Sequence, residues 1–340
     1  ISLTNDPEYS NKKFDIGKSS IEILSENIKK DFSNVKVVNY IRESVSNIDE
    51  YTKLFDNNVK IVPDIYSLLS KAKEDFKGIE NILIIHTDEP LTDFSMFAEM
   101  IDLHVNEIAD YTMTENYPAG VGISVISYDT LTRLLLITSG NNELYTKESI
   151  FKIIDLNINS YDLEVKVCLN DMRRDRLQLY ANNKRNFLIC NNILNKLDKS
   201  FSFDAVYKVI KNYPELIRTT PAYIEIEITG DYNIKDVTIP KEKTGREKTI
   251  MSFDDFKKII DDIDINFEDS VVCLTARCEP LKHPKIIDFI KYAISKDKIR
   301  LIIETSGVFL DKEKADNILE IHNNKLHVIF CLSATNEQLY

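Results

Sequence analysis

The alternation of apolar and polar positions divides the chain into three stretches. In residues 1–140, Val35-Lys36-Val37-Val38 reads as a strand. Ile82-Leu83-Ile84-Ile85 is a short unbroken apolar run, the pattern of a strand buried on both faces of a parallel sheet. Ser19 to Lys30 sets Ile21, Leu24 and Ile28 at helical spacing, with Ser19 or Ser20 as N-cap. Phe94 to Ile108 gives a further amphipathic helix. Strands that alternate with helices predict a parallel sheet with helices on its faces. Residues 141–220 are less regular and rich in Asn, Lys and Arg. The mixed-charge run from Asp171 to Arg176 reads as a solvated face, and the stretch is expected to connect two domains and pack against both.

From residue 221 the pattern is regular again. Tyr223 to Thr229 alternates with period two, and Ser252 caps a helix from Phe253 to about Ile263, with Asp254 and Asp255 in its first turn. Strands follow at Val271–Leu274, Arg300–Glu304 and Leu326–Leu332, separated by helices at Pro284–Ser295 and Asp311–His322. This is β(αβ)₃, ending just after its fourth strand. Right-handed crossovers would curl it into a partial barrel.

Composition narrows the chemistry. The 340 residues carry 43 Lys plus Arg against 55 Asp plus Glu, a net charge of −12, which lacks the basic footprint of a nucleic-acid binder. There are 8 glycines, about a third of the usual ~7% share. No G-x-G-x-x-G and no G-x-x-x-x-G-K-[ST] occurs, and Lys12 stands where a P-loop ending in Gly17-Lys18-Ser19 needs its first glycine. Cys168, Cys190, Cys273, Cys278 and Cys331 include no C-x-x-C pair and read as reduced thiols of a cytoplasmic protein. No apolar run reaches the ~20 residues that span a bilayer, and no signal-peptide pattern opens the chain, which starts at Ile1 and not at a Met.

Several ordered landmarks in residues 221–340 resemble the radical SAM enzymes. Ile226-Glu227-Ile228-Thr229 leads into Asn233 and Pro240 of that family's frame "IE-x-T-x-x-C-N-L-x-C-x-x-C-P". Met251-Ser252-Phe253-Asp254-Asp255-Phe256 resembles the helix start "M-S-x-E-x-F", Cys278-Glu279-Pro280-Leu281-Lys282-His283-Pro284 resembles "G-G-E-P-L-x-H-P", and Thr305-Ser306-Gly307 resembles "T-N-G". Ser333 to Tyr340 is similar to the segment after the family's fourth strand. Together with Asp171–Leu179 and Tyr213-Pro214-Glu215-Leu216, the pattern resembles the spirochaete spiro-SPASM proteins. The resemblance implies a nucleotidyltransferase-like domain, a radical SAM domain and a cysteine-rich tail. The three cluster-ligand positions hold Tyr232, Asp236 and Ile239. A cluster of this kind needs three thiolates, and Ile239 has no donor atom, so no iron–sulfur cluster is expected at this loop. Glu279 and Gly307 mark what would remain of a SAM pocket. For Glu279, a strand-end carboxylate kept by the fold is the preferred reading. His283 reads as a helix-start residue.

A second resemblance lies in residues 1–140. His86-Thr87-Asp88-Glu89-Pro90-Leu91 is similar to the "Q-G-D-E-P-L" motif of cytidylyltransferases for sugar acids, and Ala109–Thr112 and Tyr117–Gly120 continue the likeness. It implies the nucleotide-diphospho-sugar transferase-like (Rossmann-like) fold, with Asp88 holding Mg²⁺ at a nucleotide's phosphates, a task that suits a strand-end carboxylate. Those enzymes grip the triphosphate with a glycine-rich loop, and here no glycine precedes Gly17. His104 reads as a structural histidine. His322 and His327 are five apart and lack a metal spacing.

The expected domains are 1–140 nucleotidyltransferase-like, 141–220 connecting, and 221–340 a radical SAM-like partial barrel. The expected function is a non-catalytic binding or scaffold protein with an unidentified protein or peptide partner, no nucleic-acid partner and no membrane. One alternative is a Mg²⁺-dependent nucleotidyltransferase working through Asp88. Another is a radical SAM-family protein whose clusters lie in a C-terminal tail.

Overall fold

The structure is a computed structural model that describes residues 2–4, 7–32, 35–42, 48–56, 58–140, 143–172, 175–197, 201–230, 249–267, 270–275 and 279–332. The chain divides into two compact units, Ile1–Thr219 and Thr220–Tyr340.

In the first unit the elements run β1 (Ser2–Thr4), α1 (Pro7–Asn11), α2 (Ser20–Asp31), β2 (Asn39–Ile41), α3 (Ile48–Leu54), β3 (Val59–Ile61), α4 (Ile65–Asp75) and β4 (Asn81–His86). They continue as α5 (Phe97–Asn106), β5 (Tyr111–Glu115), β6 (Ser124–Ser127), α6 (Tyr128–Ile137), α7 (Ser149–Asp155), β7 (Leu163–Val167), α8 (Lys184–Leu194) and α9 (Phe203–Asn212). The strands form one sheet in the order β3-β2-β1-β4-β6-β5-β7. Strands β1 to β4 are parallel, as the sequence pattern predicts. The expectation of an all-parallel sheet is corrected at β6, which runs antiparallel to both β4 and β5. Only eight residues, 116–123, connect β5 to β6, too few for a parallel crossover, which needs a dozen or more.

A second correction concerns Val35–Val38. Val35 is exposed, and the strand begins at Asn39, where Asn39, Tyr40 and Ile41 are all buried. The apolar residues at 35–38 serve the approach to the strand rather than its ladder. The region 141–220, read as a connection, supplies β7 and helices α7 to α9.

Two apolar cores sandwich the sheet. One is built on Leu24 and Ile28 of α2, Phe97 and Met100 of α5, and Cys190 and Ile193 of α8. The other is built on Leu68 and Leu69 of α4, Leu131 and Leu134 of α6, and Ile150 and Ile154 of α7. Helix starts are fixed by their caps. Of the two candidate serines, Ser19 forms the capping box with Glu22, its N–H donating to Glu22 Oε2 at 2.7 Å.

The second unit comprises β8 (Tyr223–Ile226), α10 (Phe253–Asn266), β9 (Ser270–Leu274), α11 (Ile286–Ile294), β10 (Ile299–Thr305), α12 (Lys312–Ile321) and β11 (Leu326–Phe330). All four strands are parallel in sequential order, β8-β9-β10-β11. Along β10, Ile299, Leu301 and Ile303 are buried in the helix-side core with Phe256, Phe289 and Ile290, whereas Arg300 is exposed. Ser252 caps α10 and Asp311 caps α12, each accepting from the backbone N–H three residues on.

Two glycines show where backbone crowding enters. Gly120 has φ +94°, and a Cβ there would lie 2.4 Å from the Leu179 carbonyl oxygen. That closeness serves a hydrogen bond in which Leu179 N–H donates to the Ala119 carbonyl at 2.7 Å, seating residues 177–181. Gly140 has φ +82° but open space around it. Gly140→Ala is expected to cost about 1–2 kcal/mol from backbone conformation alone. Gly120→Ala meets the carbonyl as well and is expected to cost at least about 3 kcal/mol. Urea unfolding of both variants checks this, and equal losses would refute it.

Candidate functional site

Strand β4 delivers His86 to the carboxyl edge of the sheet, level with Leu3 of β1. Ligand sites of open α/β sheets lie at such edges. The chain then turns, Glu89 N–H donating to the His86 carbonyl at 3.2 Å and Thr92 N–H to the Glu89 carbonyl at 3.3 Å. The turn is held from two sides. Ser20 Oγ, at the start of α2, donates to the Thr87 carbonyl at 2.6 Å, and Ala181 N–H donates to the Asp88 carbonyl at 2.6 Å. Thr87 and Asp88 are completely buried and Glu89 nearly so.

Two adjacent buried carboxylates require a cation. Lys147, from the segment before α7, supplies it. Its Nζ lies 2.8 Å from Asp88 Oδ1 and 3.4 Å from Glu89 Oε1. The contact with Glu89 has hydrogen-bond geometry, whereas the shorter one with Asp88 is ionic and misses the hydrogen-bonding direction, so among the described residues neither Asp88 oxygen has a hydrogen-bond donor. On its other side the ammonium sits 3.3 Å from the centroid of the Tyr180 ring, a cation–π contact. Tyr180 lies within the segment seated at Gly120.

This arrangement sets the local ionisation. Burial pushes Glu89 up to about 7, the Asp88 charge adds to the rise, and Lys147 opposes it. Burial holds His86 well below the usual histidine range, with Lys147 acting in the same direction. Burial raises the Tyr180 phenol and the Cys190 thiol, and the nearby carboxylates raise them further.

Mg²⁺ would have to displace Lys147 to reach Asp88. That ion takes near-octahedral oxygen ligands, several of them water. Here an ammonium occupies the position between Asp88 and Glu89, an aromatic ring closes the far side, and Asp88 has no exposed surface. Among the described residues no group of three or more His, Cys, Asp or Glu could hold a metal ion. The connection from β1 to α2, at the same sheet edge, contains Gly17 as its one glycine. Lys147 and Tyr180 belong to no motif in the sequence. Only the fold brings them to Asp88.

Asp110, in the second part of the cytidylyltransferase resemblance, is a structural hub. Its carboxylate accepts from Thr130 Oγ1 at 2.5 Å and from Asp162 N–H at 3.0 Å, and it pairs with Arg133. His104 is buried, with Nδ1 2.8 Å from Thr112 Oγ1, and burial lowers its pKa.

In the second unit, Tyr232, Asp236, Ile239 and Cys278 lie outside the described residues. Glu279 is buried at the start of a 3-10 turn, and its carboxylate is fully engaged by its own chain. Oε1 accepts from Leu281 N–H at 3.2 Å and from Thr305 Oγ1, and Oε2 accepts from Ser306 N–H at 3.0 Å and Ser306 Oγ at 2.8 Å. Gly307 N–H donates to Thr305 Oγ1 at 3.0 Å, with φ +82° at Gly307. Glu279 and Gly307 are thus brought together through Thr305, as a staple between the loops after β9 and β10. His283 Nδ1 accepts from Lys285 N–H at 3.1 Å, which leaves Nε2 to donate to the Met251 carbonyl at 3.0 Å. Cys168, Cys190 and Cys273 are buried free thiols and Cys331 is an exposed one. No helix of the described residues is long and apolar enough to cross a membrane.

No family model matches the chain. A curated relative, an uncharacterized protein of the spirochaete Treponema pallidum (strain Nichols), is 24% identical over 191 residues, 56% of this chain and 52% of that protein. The chain thus spans about half the length of the curated relative it matches. Among solved structures, a cytidylyltransferase from Leptospira borgpetersenii superposes with a TM-score of 0.54 at 18% identity, covering 64% of this chain and 96% of that one. The likeness is one of fold, a cytidylyltransferase-like α/β architecture. BtrN in complex with AdoMet and 2-DOIA gives a TM-score of 0.29 at 18% identity, over 36% of this chain and 50% of that one.

The Glu89 proton makes stability depend on pH. The folded state holds this proton more tightly than the unfolded chain, whose glutamate titrates near 4.5. The resulting stabilisation is fully present below that value and is lost as pH rises through about 7. At 1.36 kcal/mol per unit the loss is about 3 kcal/mol. Glu89→Gln, which keeps the shape without the titration, is expected to flatten the unfolding free energy between about pH 5 and pH 8. Urea unfolding across that range checks it, and an unchanged slope would count against the assignment.

Proposed function

We propose that this protein is a binding or scaffold protein built on two enzyme-like folds, neither of which performs its fold's chemistry. The observation that carries this reading is the internal ion pair at the end of β4. Asp88, the residue that would hold a divalent cation, is buried against Lys147 Nζ at 2.8 Å. A nucleotidyltransferase needs that carboxylate open to a metal and a triphosphate. Here the place is taken by a side chain of the same molecule and capped by Tyr180. The glycine content supports the same view, since the β1–α2 connection offers a single glycine for cradling phosphates.

The second unit is proposed to be a radical SAM-like partial barrel of the spiro-SPASM type, without its radical-generating cluster. The β(αβ)₃ order and the ordered landmarks around Met251, Glu279 and Thr305 support the fold. The donor set supports the loss of the cluster, because Tyr232, Asp236 and Ile239 supply no thiolate. The saturated Glu279 carboxylate supports a stapling role instead of a ligand-binding one. The partner is proposed to be a protein or peptide.

The competing reading, a Mg²⁺-dependent nucleotidyltransferase, has the cytidylyltransferase-like fold in its favour. Thermal unfolding with CTP or UTP, with and without MgCl₂, separates the two. No Mg²⁺-dependent rise in Tm is expected. A rise that depends on Mg²⁺ and disappears in Asp88→Ala would establish the transferase reading in its place.

For the second unit, anaerobic reconstitution with iron and sulfide is expected to leave no cluster after desalting. A stoichiometric cluster lost on mutating Asp236 would refute that expectation.

A further inference from the structure

We infer that a cavity beside β4 binds the alkyl chain of a small amphiphile carrying a single carboxylate, with Lys36 at its mouth as the head-group partner. The cavity has a volume of about 240 Å³, and ten of its twelve lining residues are apolar. It exceeds the ~150 Å³ apolar cavity that takes up benzene. Ile28 and Phe32 form one wall at the end of α2, Phe97 forms another at the start of α5, and Leu83 and Ile85 of β4 form the floor. Phe32 and Phe97 stack with centroids 4.9 Å apart, which makes the wall rigid. Val35 and Ile79 stand at the opening, 52% and 41% exposed, where a packed core would have covered them. A pocket this apolar and open to water favours an alkyl occupant over a polar one.

The head-group assignment comes from charge. Lys36 is exposed at the rim, its ammonium 5.6 Å from the Phe76 ring centroid and hydrogen-bonded to the Asp75 carbonyl. The Asp75 carboxylate beside it is taken, accepting from Tyr40 OH at 2.7 Å and pairing with Lys60. Among the described residues no carboxylate pairs with Lys36, and the nearby Lys29 is matched by Asp56 at 3.0 Å. One uncompensated positive charge at an apolar mouth suits a monoanion, hence a carboxylate instead of a dianionic phosphate. The cavity is independent of the Asp88 site and does not rest on the function proposed above.

Fluorescence of cis-parinaric acid bound to the full chain, displaced by sodium decanoate, tests the inference. Decanoate is expected to displace the probe more strongly than decanol, and decyltrimethylammonium to be the weakest. Lys36→Glu, an exposed substitution that leaves the fold intact, is expected to weaken decanoate about five- to ten-fold and to leave decanol unchanged. Val37→Phe, which fills the cavity, is expected to abolish displacement by both. The inference fails if the probe does not bind, if decanol matches decanoate, if Lys36→Glu leaves decanoate unaffected, or if Val37→Phe retains binding with its far-UV circular dichroism unchanged.

Discussion

A buried carboxylate cannot stay charged without a partner, and the first unit is organised around that constraint at Asp88. Taking an unpaired carboxylate out of water costs far more than any single contact returns. Lys147 meets the demand, yet it reaches Asp88 only because residues 143–147 run back across the edge of the sheet, where Ile65 N–H donates to the Glu143 carbonyl at 3.0 Å. Tyr180 covers the ammonium only because Leu179 and Ala181 are pinned to Ala119 and Asp88 by backbone hydrogen bonds. Cation, ring and carboxylate therefore come from three distant stretches of chain, and each would be costly to keep without the other two.

That interdependence gives the few glycines their meaning. A phosphate-binding loop spends glycines on exposing N–H groups to a ligand. Here Gly120 is used for the opposite purpose, letting the Leu179 carbonyl approach the backbone so that the Tyr180 segment lies flat over the site. Gly122 instead leaves room for the Thr114 side chain of β5, with which a Cβ there would collide.

Much of the fold was legible in the sequence because it is written in local terms. The apolar run at 82–85, the serine caps at 19 or 20 and at 252, and the β(αβ)₃ rhythm after residue 221 are short-range patterns that stand in the structure as strand, helix starts and parallel sheet. The errors fall where local pattern and tertiary demand part. Val35–Val38 has strand composition, but the ladder with β1 and β3 starts at Asn39, and no local rule places a buried Asn ahead of a valine. The direction of β6 depends on which strands it lies between, which the period of its side chains does not encode. At the site, Asp88 could be singled out because residues 86–91 resemble a cytidylyltransferase motif that follows an apolar strand. Lys147 and Tyr180 could not, because a lone lysine and a lone tyrosine carry no signal until the chain folds.

The two strand-end carboxylates, Asp88 and Glu279, show two different routes by which a fold holds a motif residue in place. Glu279 is held by four donors from Leu281, Thr305 and Ser306, so replacing it alone would strand buried donors. Asp88 is held by charge, so replacing it alone would strand a lysine whose side chain is largely buried. In both places a partly satisfied polar cluster is worse than either a complete one or none. Single substitutions are therefore resisted by the fold whether or not a ligand is ever bound. The motif residues at these strand ends can be explained by the stability of their own networks, and their presence alone does not argue for catalysis.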